Sequence, residues 1–408
     1  MRLIRLCAVA ATLFSDVSLA GQEELAPEEL LLARIKLHMA EVLEKLPNYT
    51  CLETIERSRR RAANKRYELI DSLRLEVAYV ERKEMFAWPG AGKFEEREFR
   101  EFVPAGAFGN GNFALHARSV FLSNAASFSY EGETVEGDRR LVRFHFRIPQ
   151  ALSGYSIRVG EEEAIVGYHG FFQADAGTID LVRLRVIADE LPPQLRLSEA
   201  TDTLEYGRQH IGGTDFLLPL GSELRMIDMW GNEARNRIVF SGCRQYAGES
   251  FLSFADPPPD SEPAPLTPAE VQLPAGIVLE VELEARLDLR TAAIGDPVIA
   301  TVLRSVRKQG KTLVDKGARL SGRIHKLDRT RSSYFAVGFT FGTLEFDGNH
   351  AVIASRVEEA GPFFGLYRAY RNSAIQDNTL AVRSTHPMLP AGFRLVLQTI
   401  PISNEAKQ

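Results

Sequence analysis

The sixteen residues from Ala255 to Glu270, "ADPPPDSEPAPLTPAE", contain six prolines. Proline has no amide hydrogen and fixes φ, so neither a helix nor a paired strand runs through such a stretch. Its composition favours an extended, polyproline-like spacer. The chain is therefore expected to fold as two units, residues 21–254 and 271–408, each long enough for a core of its own.

Residues 1–20 read as a signal peptide. Arg2 and Arg5 form a positive start, Leu6–Phe14 a short apolar run, and Ser18, Leu19 and Ala20 a small-x-small cleavage pattern. Nine apolar residues are too few to span a bilayer. Cleavage after Ala20 and a periplasmic or secreted protein are the expectation. Removal of Cys7 leaves Cys51 and Cys243. In an oxidising compartment two cysteines so far apart fit a long-range disulfide better than a redox or zinc motif, with two separate buried thiols as the alternative.

The first unit opens with a helix. From Pro27 to Leu46, Leu31, Ile35, Met39, Val42 and Leu46 recur at helical spacing, and Pro47 stops the run. Alternating segments follow. "DSLRLEVAYV" puts Leu73, Leu75, Val77 and Tyr79 on one face, and "RRLVRFHFRI" puts Val142, Phe144, Phe146 and Ile148 on one face. Turn signals separate these runs, and a second helix is expected over Asn112–Leu122. The fold class this predicts is α+β: a curved antiparallel sheet with a leading helix and a lid helix.

The second unit reads as strands throughout, an all-β barrel. "LPAGIVLEVEL" from Leu273 and "LPAGFRLVLQT" from Leu389 repeat one turn-then-strand phrase, with "LVDKGARLSGRI" from Leu313 as a looser copy. Proline cannot donate to a ladder and glycine tolerates the turn, so the repeat reads as three strand starts.

Two resemblances follow from these segments. The order "LPAGIVLEVELEARLDLRTAAIGDPVIATVL", "GKTLVDKGARLSGRI", "VGFTFGTLEFDGNHAVI" is similar to the periplasmic β-barrel of conjugation and type IV secretion core-complex proteins. That family implies an assembly module. Its membrane-crossing helical extension has no counterpart here, because "GPFFGLYRAYRNSAIQDNTLAVRSTHPM" is short and polar. The first unit, with "GFFQADAGTIDLVRLRV" as its most similar segment, resembles the half-barrel of lipoprotein carriers and related periplasmic sensors. That resemblance implies a concave apolar face holding a lipid or a protein segment.

Chemical motifs are scarce. The eight histidines show no metal-ligand spacing, and no metal or cofactor is expected. "GKT" at Gly310 lacks the upstream glycine of a phosphate loop and reads as a hairpin turn, while "GAFGNGNF" from Gly106 reads as a flexible lead into the lid helix. "GESFL" at Gly248 lacks the last glycine of a nucleophile elbow, so no catalytic residue is nominated. The basic run "ERSRRRAANKR" reads first as a solvated hairpin tip and second as a patch for acidic lipid or polysaccharide. Without interleaved aromatics, and with a formal net charge of -5, nucleic acid is not an expected partner.

The densest signal is aromatic. Phe86, Trp88, Phe94, Phe99, Phe108, Phe113 and Phe121 crowd a Gly- and Pro-punctuated stretch, as the core of the curved sheet or as a lid over an apolar groove. The reading as a whole is an exported, non-catalytic envelope protein. Its first unit binds an apolar ligand or an envelope partner, its barrel is an interaction module, and peripheral membrane association is compatible with both. Two alternatives stand beside it: a secreted hydrolase built from scattered carboxylates and histidines, and a structural subunit of an envelope complex.

Overall fold

A computed structural model of the chain describes residues 25–81, 83–91, 94, 102, 107–109, 113, 115–246, 273–331, 334–361, 379–383 and 387–402. The signal peptide, the proline spacer and Phe99 lie outside the described residues. The fold is mainly β and has two domains.

Helix α1 (Pro27–Glu44) starts on a proline, which suits a position whose amide has no helical partner, and buries Ile35, Met39 and Leu43. Helix α2 (Leu115–Phe121) is shorter than the periodicity predicts and buries His116, Ala117, Val120 and Phe121. Among the described residues of this first domain thirteen strands accompany them. They are β1 (Tyr49–Arg60), β2 (Glu68–Val80), β3 (Lys83–Ala87), β4 (Ala107–Gly109), β5 (Ser127–Glu136), β6 (Arg139–Ile148) and β7 (Ser156–Val159). The rest are β8 (Glu162–Ile165), β9 (Gly167–Asp175), β10 (Leu181–Asp189), β11 (Leu197–Ile211), β12 (Thr214–Asp228) and β13 (Glu233–Gln245).

Ten of these strands form one antiparallel sheet in the order β3-β2-β1-β13-β12-β11-β10-β9-β6-β5, and β4-β7-β8 form a small second sheet. The period-two alternation turns one face of the large sheet inward. Val142, Phe144, Phe146 and Ile148 of β6 are buried there, as are Leu73, Leu75, Val77 and Tyr79 of β2. Both helices pack on this face: Ile35, Met39, Val120 and Phe121 share a cluster with Phe144, Phe172 and Leu204. The basic run forms the tip of the β1–β2 hairpin, and Glu162 and Glu163 sit exposed in the β7–β8 hairpin.

The first strand of the sheet pairs with the last, β1 with β13. The register slips between Thr50 and Leu52, opposite Gly242, whose φ of +58° an L-residue rarely adopts. That bulge brings Cys243 across from Cys51, and the two are disulfide-bonded with a Cα–Cα distance of 4.1 Å.

The C-terminal strands make a closed sheet. Val278–Leu283 pairs with Pro297–Val302 on one side and Arg394–Ile400 on the other. Pro297–Val302 leads on to Arg319–Arg331 and then to Tyr334–Phe346. Residues Asn349–Val352 pair with Tyr334–Phe346 while Ala354–Ala360 pairs with Arg394–Ile400, so one stretch bridges the gap and closes the barrel. Its interior is filled by Leu279, Val281, Leu320, Val337, Phe339, Phe341 and Leu397.

All three copies of the repeated phrase do the same work. Gly276, Gly317 and Gly392 have φ of +87°, +89° and +77°. Each donates its amide to a neighbouring strand, at Thr399 O, Val302 O and Leu283 O. The glycine therefore makes the turn and its amide stitches that turn to the adjacent strand.

The two domains meet at an unfilled sheet edge. Among the described residues β3 pairs only with residues 76–80 of β2, and none of the named strands pairs with 68–75 on that side. An open edge invites another strand, and the barrel loop before Pro297 supplies one. Arg74 N donates to Ile294 O and Ile294 N to Ser72 O, both at 2.8 Å. Arg74 Nη1 also donates to both carboxylate oxygens of Asp296 at 2.7 Å. Arg329 of the barrel donates to Leu289 O, Ala292 O and the Ser72 hydroxyl, gathering the loop against β2. Gly295 has no room for a side chain, since a Cβ would lie 2.3 Å from Arg74 O and 2.7 Å from the Trp88 ring.

The "IGDP" phrase is thus a docking element as well as a turn. Removing one partner of the Arg74–Asp296 pair leaves the other half-buried and unpaired. Arg74→Ala is expected to split a single calorimetric unfolding transition into two, one per domain. One unchanged transition would show that the edge contact does not couple them.

Candidate functional site

The inward face of the large sheet is not uniformly apolar. One buried cluster holds α1, α2 and residues of β6 and β9–β12, and a second holds Tyr49, Ile55, Leu75, Phe108, Phe113 and Phe240. Polar side chains lie among them, and register explains why. Arg57, Asn236, Leu224 and Asp202 are successive cross-strand partners on β1, β13, β12 and β11. The neighbouring row runs Ile55, Ile238, Ser222, Leu204. Each polar residue occupies an inward position of its strand's alternation, so burial follows from the pleat.

Many of these groups lack partners. Asp202 is 0% exposed, His116 3% and Glu53 4%. Among the described residues no hydrogen-bond partner reaches Tyr49 Oη, Glu53 Oε2, Tyr79 Oη, His116 Nε2, Tyr155 Oη, Tyr206 Oη or either carboxylate oxygen of Asp202. The Ser222 hydroxyl and the Thr203 amide sit near enough to Asp202 to favour its charge, though neither is in hydrogen-bonding geometry. A buried polar atom left unmade costs about 1–3 kcal/mol. Such groups call for partners, whether ordered water or the polar atoms of a guest.

Elsewhere the seam is tied down. Asn236 Nδ2 donates to Ala107 O at 2.7 Å, and Leu115 N donates to Glu84 Oε1 at 3.3 Å, which fixes the start of α2. Arg57 pairs with Asp71 and lies over the Phe108 ring.

Burial sets the charge state. Desolvation, with the Glu84 carboxylate adding to it, pushes Glu53 up to about 8. Desolvation pushes Asp202 up to about 7 and holds His116 down to about 4. His116 Nε2 and Asp202 Oδ2 are 3.8 Å apart, too far for a hydrogen bond, and between about pH 4 and 7 both are mainly neutral, so no strong ion pair joins them there. The phenols of Tyr49, Tyr155 and Tyr206 are raised by the same desolvation, with Glu84 or Asp202 contributing. The seam is therefore a set of neutral hydrogen-bonding groups. Among the described residues the hydroxyls of Tyr49, Tyr79, Tyr155 and Tyr206 have no hydrogen-bonded base to activate them. Among the described residues no cluster of His, Cys, Asp or Glu could hold a metal ion.

The aromatic residues nominated from sequence fall in three places. Phe108, Phe113 and Phe121 are buried, the first two in the cluster around Tyr49 and the third against Phe172. Phe86 and Trp88 are half-buried at the margin of the same cluster, where Trp88 meets Phe102 and lies beneath Arg323 of the barrel. Phe94 packs edge-on against Tyr246. Sequence reasoning missed the polar seam. Its signal was present as polar letters in the buried phase of strands: Glu53 between Cys51 and Ile55, and Asp202 between Ala200 and Leu204.

No protein-family model matches the chain. No curated protein matches it either. Solved structures match it in part. ComB10 of the Com type IV secretion system of Helicobacter pylori is 11% identical over 33% of this chain and 92% of its own, with a TM-score of 0.21. The LolA superfamily protein NE2245 from Nitrosomonas europaea is 8% identical over 54% and 93%, with a TM-score of 0.26. A DUF1329 family protein from Desulfovibrio piger is 10% identical over 55% and 96%, with a TM-score of 0.28. At these scores the likeness of fold is weak. Among the described residues no helix is long and apolar enough to cross a membrane.

Proposed function

We propose that the chain is an exported, non-catalytic binding protein of the cell envelope whose curved sheet holds an amphiphile. The observation that carries this is the seam of unpartnered, neutral polar atoms lying among apolar clusters. A guest with acyl chains and an uncharged polar part, such as ester carbonyls or hydroxyls, matches both. Its polar atoms would satisfy Tyr49, Glu53, Tyr206 and Asp202, and its chains would lie along the walls that include Phe86, Trp88, Phe108, Phe113 and Phe121. The barrel, fixed to the sheet edge, then serves as the interaction module. Proposed boundaries are residues 21–254, 255–270 and 271–408.

Native mass spectrometry of the full mature chain purified from the periplasm tests the reading. The expected result is a bound lipid-sized species, with affinity about two- to tenfold lower in Tyr206→Phe, the loss of one charge-neutral hydrogen bond in a buried site. A bare chain that shows no saturable binding of a fluorescent diacylglycerol would overturn it.

A second reading has one observation in its favour. Glu53, Glu84, Asp202 and His116 are gathered in one interior, as a hydrolase of scattered carboxylates and histidines requires. Cleavage of the bound ester that disappears in His116→Gln would favour that reading over carriage alone.

A further inference from the structure

We infer that one end of the curved sheet is a docking surface for an anionic lipid bilayer. Met229 and Trp230, at the tip of the β12–β13 hairpin, are 67% and 65% exposed. The turn that presents them is well bound. Asp228 Oδ1 accepts from Trp230 N and Asn232 N at 2.9 and 2.8 Å, and Asp228 Oδ2 accepts from Asn232 Nδ2 at 2.8 Å. Two other loops lock onto it: Met229 N donates to Arg196 O at 3.0 Å, and Ala62 N to Asn232 Oδ1 at 3.3 Å. The indole is held out in solvent by an ordered framework.

What surrounds it is cationic. Pairing of Arg60 with Glu233 brings the β1–β2 tip alongside, and with it exposed Arg61, Lys65 and Arg66, while Arg196 comes from the loop before β11. None of these four has an acidic partner within 4.0 Å among the described residues. The acids nearby are engaged. Asp228 serves its own turn, and Glu233 is buried against Arg60, Tyr67 and Arg225. Glu68 lies 3.6 Å from Arg59, and Glu190 3.8 Å from Arg147.

Trp partitions to the membrane–water interface because its ring is apolar and its N–H needs a partner. Unpaired Lys and Arg beside it are drawn to anionic headgroups. A pair of apolar side chains flanked by cations from two loops is too small and too charged for the core of a stable protein interface, which buries about 800 Å² per partner. Charge complementarity therefore selects the bilayer. This inference does not depend on the seam, which these residues do not line.

Sedimentation of the full mature chain with vesicles tests it, using phosphatidylcholine alone or with roughly one-third phosphatidylglycerol. Binding is expected only to the anionic vesicles, weakening as salt screens it. Trp230→Ser with Met229→Ser, and separately Lys65→Glu with Arg66→Glu, should each lower binding by about tenfold or more. Brominated acyl chains should quench tryptophan emission in the parent and not in Trp230→Ser, which excludes a contribution from Trp88. Absence of sedimentation with either vesicle, or binding unchanged in both variant pairs, would overturn the inference. So would loss of a protein partner in Trp230→Ser with vesicle binding intact.

Discussion

Glu53→Gln will raise the thermal midpoint of the chain by roughly 10 °C at pH 9 and leave it nearly unchanged at pH 4. The reason is linkage. Folding moves this carboxyl from an ordinary 4.5 up to about 8, chiefly by burial and secondarily by the Glu84 carboxylate. A group whose folded pKa is raised contributes stability below its unfolded pKa and loses it as pH rises through the folded value. For Glu53 that window runs from about 4.5 to about 8. Across it the fold forfeits on the order of 4–5 kcal/mol, a large share of a typical domain's stability. Glutamine keeps the shape and cannot ionise, so the alkaline loss disappears.

Asp202, pushed up to about 7, loses stability in the same direction over a lower window. His116 works oppositely. Its folded pKa falls from 6.5 to about 4, so its contribution is present above 6.5 and lost as pH drops. Between about 4.5 and 6.5 the two carboxyls lose more than the histidine gains, so the parent should lose stability steadily as pH rises from about 4.5 to about 8, most steeply between about 6.5 and 7 where His116 no longer compensates. Parallel pH profiles for parent and Glu53→Gln would show that Glu53 ionises freely in the folded chain and that the seam is wetter than its burial indicates.

Much of the architecture was legible because it rests on local periodicity. Alternation in "RRLVRFHFRI" and "DSLRLEVAYV" placed the inward faces, and "LPAG" marked strand starts whose glycines do adopt positive φ. Less legible was anything set by which strands become neighbours. Asp202 and Asn236 are 34 positions apart in sequence, yet Leu224 alone separates them across the sheet, in a row that only strand order and register create. The same holds for Asp296. In sequence it belongs to a turn, and only the short β3 shows that β2 has an edge for that turn to fill. The expected helix over Asn112–Leu122 came out shorter for a physical reason: Glu84, from a distant strand, accepts from Leu115 N and sets where α2 begins.

Reducing the Cys51–Cys243 disulfide, or replacing both cysteines with serine, will lower unfolding stability by about 5 kcal/mol. The cysteines are 192 residues apart in sequence, so the crosslink removes a very large loop from the unfolded ensemble. Its position makes the loss propagate. Among the described residues β1, β2 and β3 join the rest of the sheet through the β1–β13 ladder alone, and the disulfide sits at the bulge in that ladder. The barrel in turn docks on β2 through Ser72 and Arg74. Loosening β1 therefore loosens the platform on which the barrel rests. In urea the disulfide-free chain should unfold with its domains uncoupled, as is expected of Arg74→Ala, whereas the parent should unfold in one step. A midpoint shift worth less than about 1 kcal/mol would mean the ladder alone holds that edge, and the crosslink merely records the neighbourhood of two strands.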